Sequence, residues 1–316
     1  MREKMQITGE TVALARCREY GRDTLKAEVE RLCQGLGLIV PPGVRVLLKP
    51  NLISGSRPDG LPCTHPALVA AVAEWFCDHG ARVSVGDSPA FGSAVQVMAA
   101  CGHDRALRGL PVQRVNFDRS RPVTLACGER VGVAVATLEC DLLVNLPKVK
   151  AHCQMLVSLA VKNYFGTVVG WRKPWLHAKH GDMGTRFEAL LVDLLAFLPQ
   201  GLSLADGVVA MHGSGPVKGG IAYPLGVLGA SMNPVALETA LLQILAIEPA
   251  RSPLWRECQR RGLTGSDPAT LHYPLLAPDQ LRVADFALPG QLQPVSFRPH
   301  RLLAGALKRI VARLGF

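Results

Sequence analysis

Between Asp141 and Gly181 the chain carries three histidines and six lysine or arginine residues, with Asp141 as the single carboxylate and Asp182 just beyond. Lys148, Lys150 and His152 fall within five residues, directly after the apolar run Asp141 to Leu146 and Pro147. Lys162 and Asn163 follow, and His177 and His180 lie past a glycine-bounded loop. Cations gathered this way repel one another unless an anion or a metal ion neutralises them. Crowded lysines lose basicity and can act as base or nucleophile, while histidines can move protons or ligate a metal. The chemistry expected is acid–base or metal chemistry on a phosphate- or carboxylate-bearing molecule. His152, Lys162, His177 and His180 are the catalytic candidates, and His152, His177 and His180 the candidate metal ligands.

Further candidates sit where strands are expected to stop. Lys49, Pro50 and Asn51 end the buried run Val44 to Leu48, and Asp87 and Ser88 follow Arg82 to Val85. Asp206 follows Leu202 to Ala205, and Lys148 and Lys150 follow Leu142 to Leu146. Thr64 reads as the N-cap of a helix with Pro66 in its first turn, which puts His65 at the positive end of that helix and keeps its imidazole neutral. Asx-turns are an equally local explanation for Asp87 and Asp206. The run from His212 to Gly220 contains Gly213, Ser214 and Gly215 but does not match G-x-x-x-x-G-K-[ST]. It reads as a lid over the site. Lys49, Asn51, Thr64, His65, Asp87, Ser88, Lys148, Lys150, Asn163, Asp206, Gly213, Ser214 and Gly215 are the candidate ligand-binding residues.

The elements that must position these groups alternate as strand, polar turn and helix. A first strand is expected over 11–16, helices over 24–36 and 185–198, and a helix over 154–164 that would carry Lys162 and Asn163 at its end. A strand at Gly226 to Ala230 ends at Ser231 before a helix begins at Pro234, and Val123 to Ala136 has the pattern of a hairpin. The fold class expected is α/β, an open, mostly parallel sheet with helices on both faces. Ligands of such sheets bind outside the carboxyl ends of the strands, so five polar turns are expected to line one crevice. Residues 1–246 form this core domain. Residues 247–316 form an irregular extension ending in a basic amphipathic helix over 301–316, suited to a membrane surface or a nucleic acid.

With 48% hydrophobic and 19% charged residues, the 316-residue chain buries a sizeable core and is not a disordered polymer. Its net charge of +10 favours anionic partners. Nine cysteines without a CxxC pair exclude a ferredoxin-type cluster motif and a disulfide framework, and fit a reducing cytoplasm. No signal-type apolar stretch opens the sequence and no run of about eighteen apolar residues occurs. Oligomeric state is not legible.

Several of these stretches together resemble the family designated domain of unknown function 362. They are Lys49-Pro50-Asn51, Thr64-His65-Pro66, Gly86-Asp87-Ser88-Pro89, Asn145 to His152, Lys162 to Gly166, and Asp206-Gly207 with Gly213 to Pro216, over residues 44–245. Many members of that family carry an added iron–sulfur segment, which implies redox-linked chemistry and an electron-transfer partner; this chain lacks the paired cysteines. The family's usual Asp-Pro-Val-Ala-x-Asp stands here as Asn233-Pro234-Val235-Ala236-Leu237-Glu238. A more distant similarity is to the nickel-dependent lactate racemase family, in which a histidine and a lysine ten residues apart exchange a substrate proton and tether a nucleotide-derived nickel cofactor. By position His152 and Lys162 would take those roles, with His177 or His180 as the second histidine, and the activity implied is isomerase- or racemase-like. The non-enzymatic alternative is a protein that only binds an anionic cofactor or nucleic acid on the same basic surface.

Overall fold

A computed structural model describes residues 10–55, 60–90, 92–169, 176, 186–199, 201–215 and 219–292. His177, His180, Lys218 and the 301–316 stretch lie outside the described residues. The strands are β1 (Ala13–Arg16), β2 (Arg45–Pro50), β3 (Arg82–Asp87), β4 (Gln113–Asn116), β5 (Ser120–Thr124) and β6 (Arg130–Ala134). They continue as β7 (Leu142–Leu146), β8 (Lys148–His152), β9 (Leu156–Ser158), β10 (Gly201–Gly213), β11 (Gly220–Tyr223) and β12 (Val227–Ser231). The main sheet runs β1-β12-β10-β7-β2-β3-β4, and β4, β3, β2, β7 and β10 are mutually parallel. The β5–β6 hairpin forms a small sheet of its own.

The central strands are apolar on both sides because both sides are covered. Leu48, Val144, Leu204 and Leu228 pack with Leu25, Leu32, Leu68 and Phe76 from the Arg22–Gly35 and Pro66–Asp78 helices. On the opposite face, Leu14, Ala205 and Val227 pack with Leu237 and Leu241 of the Pro234–Ile244 helix. The architecture is therefore α/β with a large, mostly parallel sheet and helices on both faces. Residues 247–286 seal one margin: Ile247, Trp255, Leu281 and Phe286 join the second layer, and a short bridge between Thr11 and His272 lies beside β1. An edge strand covered in this way cannot recruit a foreign strand.

Three expectations are corrected. The strand after Leu202 does not stop at Asp206 but continues to Gly213. Residues 154–164 do not make one helix: a turn leads into β9, and only Ala160–Asn163 is α-helical, because the β8–β9 hairpin uses the backbone of 156–158 for pairing. The turn after β12 does not join the others. β12 is antiparallel to β10, with Ser231 opposite Ser203, so Ser231 and Asn233 sit at the amino end of the parallel strands.

Candidate functional site

Pro147 breaks one long strand into β7 and β8, and β10 runs beside both pieces, pairing with Leu143 to Asn145 and then with Lys148 and Lys150. In β8 the side chains alternate with period two. Val149 and Ala151 face the apolar layer, while Lys148, Lys150 and His152 share the other face, each at most 4% exposed. The K-V-K-A-H alternation was the signal that these residues form a strand rather than a turn.

Each cation meets a different fate. Lys148 Nζ is 2.9 Å from Asp206 Oδ2 and donates to the Tyr20 hydroxyl at 3.0 Å. Tyr20 donates in turn to Asp206 Oδ1 at 2.7 Å, and the His65 amide donates to Oδ2 at 2.8 Å. The Tyr20 ring stacks on His65 with centroids 3.6 Å apart. Asp206 is thereby filled with donors, and burial together with that carboxylate pushes the Tyr20 phenol well above its ordinary value. Nothing in the sequence of residues 17–21 pointed to Tyr20.

Lys49 is fully buried against Asp87, with Nζ 3.0 Å from Oδ1. The other carboxylate oxygen accepts from the Leu52 amide at 2.9 Å, and Lys49 also donates to the Pro50 carbonyl at 3.2 Å. Gly166 closes over this pair: a Cβ there would lie 2.2 Å from Asp87 Oδ1 and 2.4 Å from Lys49 Nζ. The Gly166 carbonyl accepts from the Ser88 amide at 3.2 Å, which ties the two segments together. Asn163 donates to Asn145 Oδ1 at 2.7 Å, and Asn145 donates to Ser203 Oγ at 3.1 Å, next to the Tyr164 hydroxyl at 3.3 Å. This polar chain crosses the sheet through residues that periodicity could not single out.

Lys150 and Lys162 have no carboxylate within ion-pair distance among the described residues. Lys150 Nζ donates to Asn51 Oδ1 and to the Pro62 carbonyl at 3.0 Å. Burial pulls its amine down to about 7, with Lys162, Lys148 and Lys49 adding repulsion and Cys63 opposing it. The Cys63 thiol, which donates to the Ser54 carbonyl at 3.7 Å, is itself lowered by the neighbouring Cys101. Lys162 lies over the rings of Phe165 and Phe187, 5.6 and 5.3 Å from their centroids, and burial lowers it to about 8. Glu238 is buried too, but its Oε2 accepts from the Val161 amide at 2.9 Å and so holds the short helix that bears Lys162.

Thr64 does not cap the Pro66–Asp78 helix. Its hydroxyl donates to the Leu146 carbonyl at 2.6 Å and accepts from the Asn51 amide at 2.8 Å, joining β7 to the loop, and His65 Nδ1 takes the cap by accepting from the Ala67 amide. Gly213 and Ser214 spend their amides on the carbonyls of Ala287 and Gly219, and Gly215 packs on the Ala151 carbonyl, where a Cβ would come within 2.3 Å. Of the three, Gly215 lies against the end of β8, its carbonyl accepting from the Cys153 amide at 3.0 Å. An apolar cavity of about 840 Å³, lined by Tyr164, Phe197, Met232, Val235 and Arg261 among others, opens at the opposite end of the sheet. Among the described residues no three His, Cys, Asp or Glu side chains are grouped to hold a metal ion.

A doubly covered α/β sheet with lysines buried at its strand ends is thus the class of protein defined here. The model of the domain of unknown function DUF362 matches residues 46–243, and the chain belongs to that family. A thylakoid-associated protein of Synechocystis sp. is 36% identical over 307 residues, spanning 96% of this chain and 95% of that protein. Among solved structures, a Thermotoga maritima protein aligns at 11% identity over 66% of this chain, with a TM-score of 0.43. The lactate racemase apoprotein of Thermoanaerobacterium thermosaccharolyticum aligns at 14% identity over 69%, with a TM-score of 0.41. The chain spans only 56% and 54% of those two structures. No described helix is long and apolar enough to cross a membrane.

Proposed function

We propose that the protein binds a small phosphate- or carboxylate-bearing molecule at Lys150 and Lys162, and that the near-neutral amine of Lys150 serves it as an acid–base group. The observation that carries this reading is the unequal pairing of the lysines: Lys49 and Lys148 own buried carboxylates, whereas Lys150 is equally buried and has none among the described residues. A buried ammonium without a carboxylate of its own is destabilised, and an anionic ligand supplies negative charge beside it. The binding form of Lys150 is the ammonium, so affinity is greatest below about pH 7 and falls as pH rises through the value of about 7 for its amine. The test is thermal stabilisation of the full chain by inorganic phosphate and by malonate at pH 6 and pH 8.5. Stabilisation at the lower pH that disappears in Lys150→Met supports the reading; equal stabilisation of both proteins removes it.

A second reading, peripheral contact with an anionic membrane through 301–316, is favoured by the thylakoid-associated relative and by Arg301, Lys308, Arg309 and Arg313 in that stretch. Flotation with phosphatidylglycerol vesicles should be lost when those four residues become glutamine; retention by the variant would end this reading.

A further inference from the structure

His152, the last residue of β8, is 4% exposed. Its Nδ1 accepts hydrogen bonds from two backbone amides, Gln154 at 3.1 Å and Met155 at 3.2 Å. A peptide N–H can only donate, so the ring nitrogen facing these two carries a lone pair, and the proton of the neutral imidazole is on Nε2. Turning the ring over would set a carbon before both amides and leave them unpaired inside the protein, about 1–3 kcal/mol each. The Cys153 amide donates to the Gly215 carbonyl at 3.0 Å, and Leu156 holds φ at 67°, a backbone setting that a branched side chain seldom adopts.

We infer that the ring proton of His152 is fixed on Nε2 by the two turn amides at Nδ1, and that His152 therefore neither accepts a proton from a ligand through Nε2 nor binds a metal ion there. The inference concerns a residue of the same stretch as the anion-site reading and does not rest on that reading. To act as a base, Nε2 must offer a lone pair, which requires the proton on Nδ1, where two N–H groups already point. A metal ion at Nε2 makes the same demand, since histidine ligands donate from their other nitrogen to a carbonyl or carboxylate. The histidine roles of the lactate racemase family therefore do not fit His152. His65 repeats the arrangement, with Nδ1 accepting from the Ala67 amide at 3.2 Å. His79 shows the reverse: its Nδ1 is 2.7 Å from the Trp75 carbonyl, which requires a proton there. The chain thus contains a reference for each tautomer.

The test is two-bond proton–nitrogen correlation NMR on full-length protein labelled at histidine nitrogen, near pH 7 and without ligand. His152→Gln, His65→Gln and His79→Gln serve only to assign signals, so the tautomer itself is read on the unaltered protein. The expected result is an Nε2-protonated pattern for His152 and His65 and the opposite pattern for His79. Nickel or zinc added in equimolar amount should leave the His152 signals in place, and the metal stoichiometry should be unchanged in His152→Gln. An Nδ1-protonated His152, or one metal equivalent lost in the variant, overturns the inference. Failure of phosphate to bind would remove the anion-site reading while leaving the tautomer result to stand on its own.

Discussion

Among the described residues four lysines are buried, Lys49 at the end of β2, Lys148 and Lys150 in β8 and Lys162 in the short helix after β9, and they divide into two kinds. Lys49 and Lys148 sit in closed ion pairs whose carboxylates have their remaining oxygens filled by backbone amides or a phenol. Among the described residues Lys150 and Lys162 have no carboxylate within ion-pair distance: Lys150 meets neutral oxygens with Cys63 nearby, and Lys162 lies on aromatic faces with Glu188 and Glu238 acting on it from farther off. The first kind is part of the frame: it fastens the loop after β2 to β3, and the loop after β1 to β10. In the second kind, Lys150 ties β8 to the loop after β2 through neutral oxygens only, and Lys162 lies over aromatic rings. Similar residue types in similar burial therefore close an ion pair in one place and not in the other, and the neighbouring segment decides which.

Breaking the comparison at its strongest point, Asp206→Ala should strand Lys148 and the Tyr20 hydroxyl and destabilise the protein by about 3–5 kcal/mol in urea unfolding. Wild-type stability in that variant would mean that the pair is not structural. Lys150→Met should have the opposite sign. The folded Lys150 amine lies at about 7 against an ordinary 10.5, so below about pH 7 both folded and unfolded chains are charged and the whole burial penalty is felt. Between those values the unfolded chain holds the extra proton, and wild-type stability rises with pH. The methionine variant should accordingly gain most near pH 6, by a few kcal/mol at about 1.4 kcal/mol per pKa unit, with its advantage shrinking toward pH 10. A loss of stability at pH 6 would place Lys150 with the frame. Gly166→Ala, whose Cβ would collide with the Lys49–Asp87 pair, should cost about 1–3 kcal/mol in the same unfolding measurement and leave the phosphate response near pH 6 intact. Ser203→Ala removes one link between Asn145 and Tyr164 and should cost only about 1 kcal/mol.

The layered α/β plan was legible because strand and helix periods speak for themselves: Val44 to Leu48 reads as a buried strand and from Arg45 falls in β2, buried from Val46 onward, and Leu142 to Leu146 reads as a strand and is β7, buried throughout. What misled was punctuation. Pro147 reads as a stop, yet the chain resumes as β8 at once because β10 is long enough to pair on both sides of the break. Asp206 reads as a turn residue beside Gly207, but its carboxylate is held within the sheet by three donors from distant segments. Cross-chain partners such as Tyr20 with Asp206, or Glu238 with Val161, are separated by 186 and 77 residues, and no local pattern encodes them. The lysines and His152 could be found from charge density alone; which of them lack a carboxylate could not.

β10 has a further consequence. Its thirteen residues, about 43 Å at the rise of an extended chain, carry Ser203 near one end, Asp206 in the middle and Met211, paired with Lys150, near the other. The pairing along it is not uniform: Asp206 stands opposite Lys148 and Met211 opposite Lys150, so the register shifts between the two. A one-residue slip in either half would turn that half's side chains to the wrong face, so the buried lysines inherit their spacing from two registers joined by one irregularity in a single ribbon.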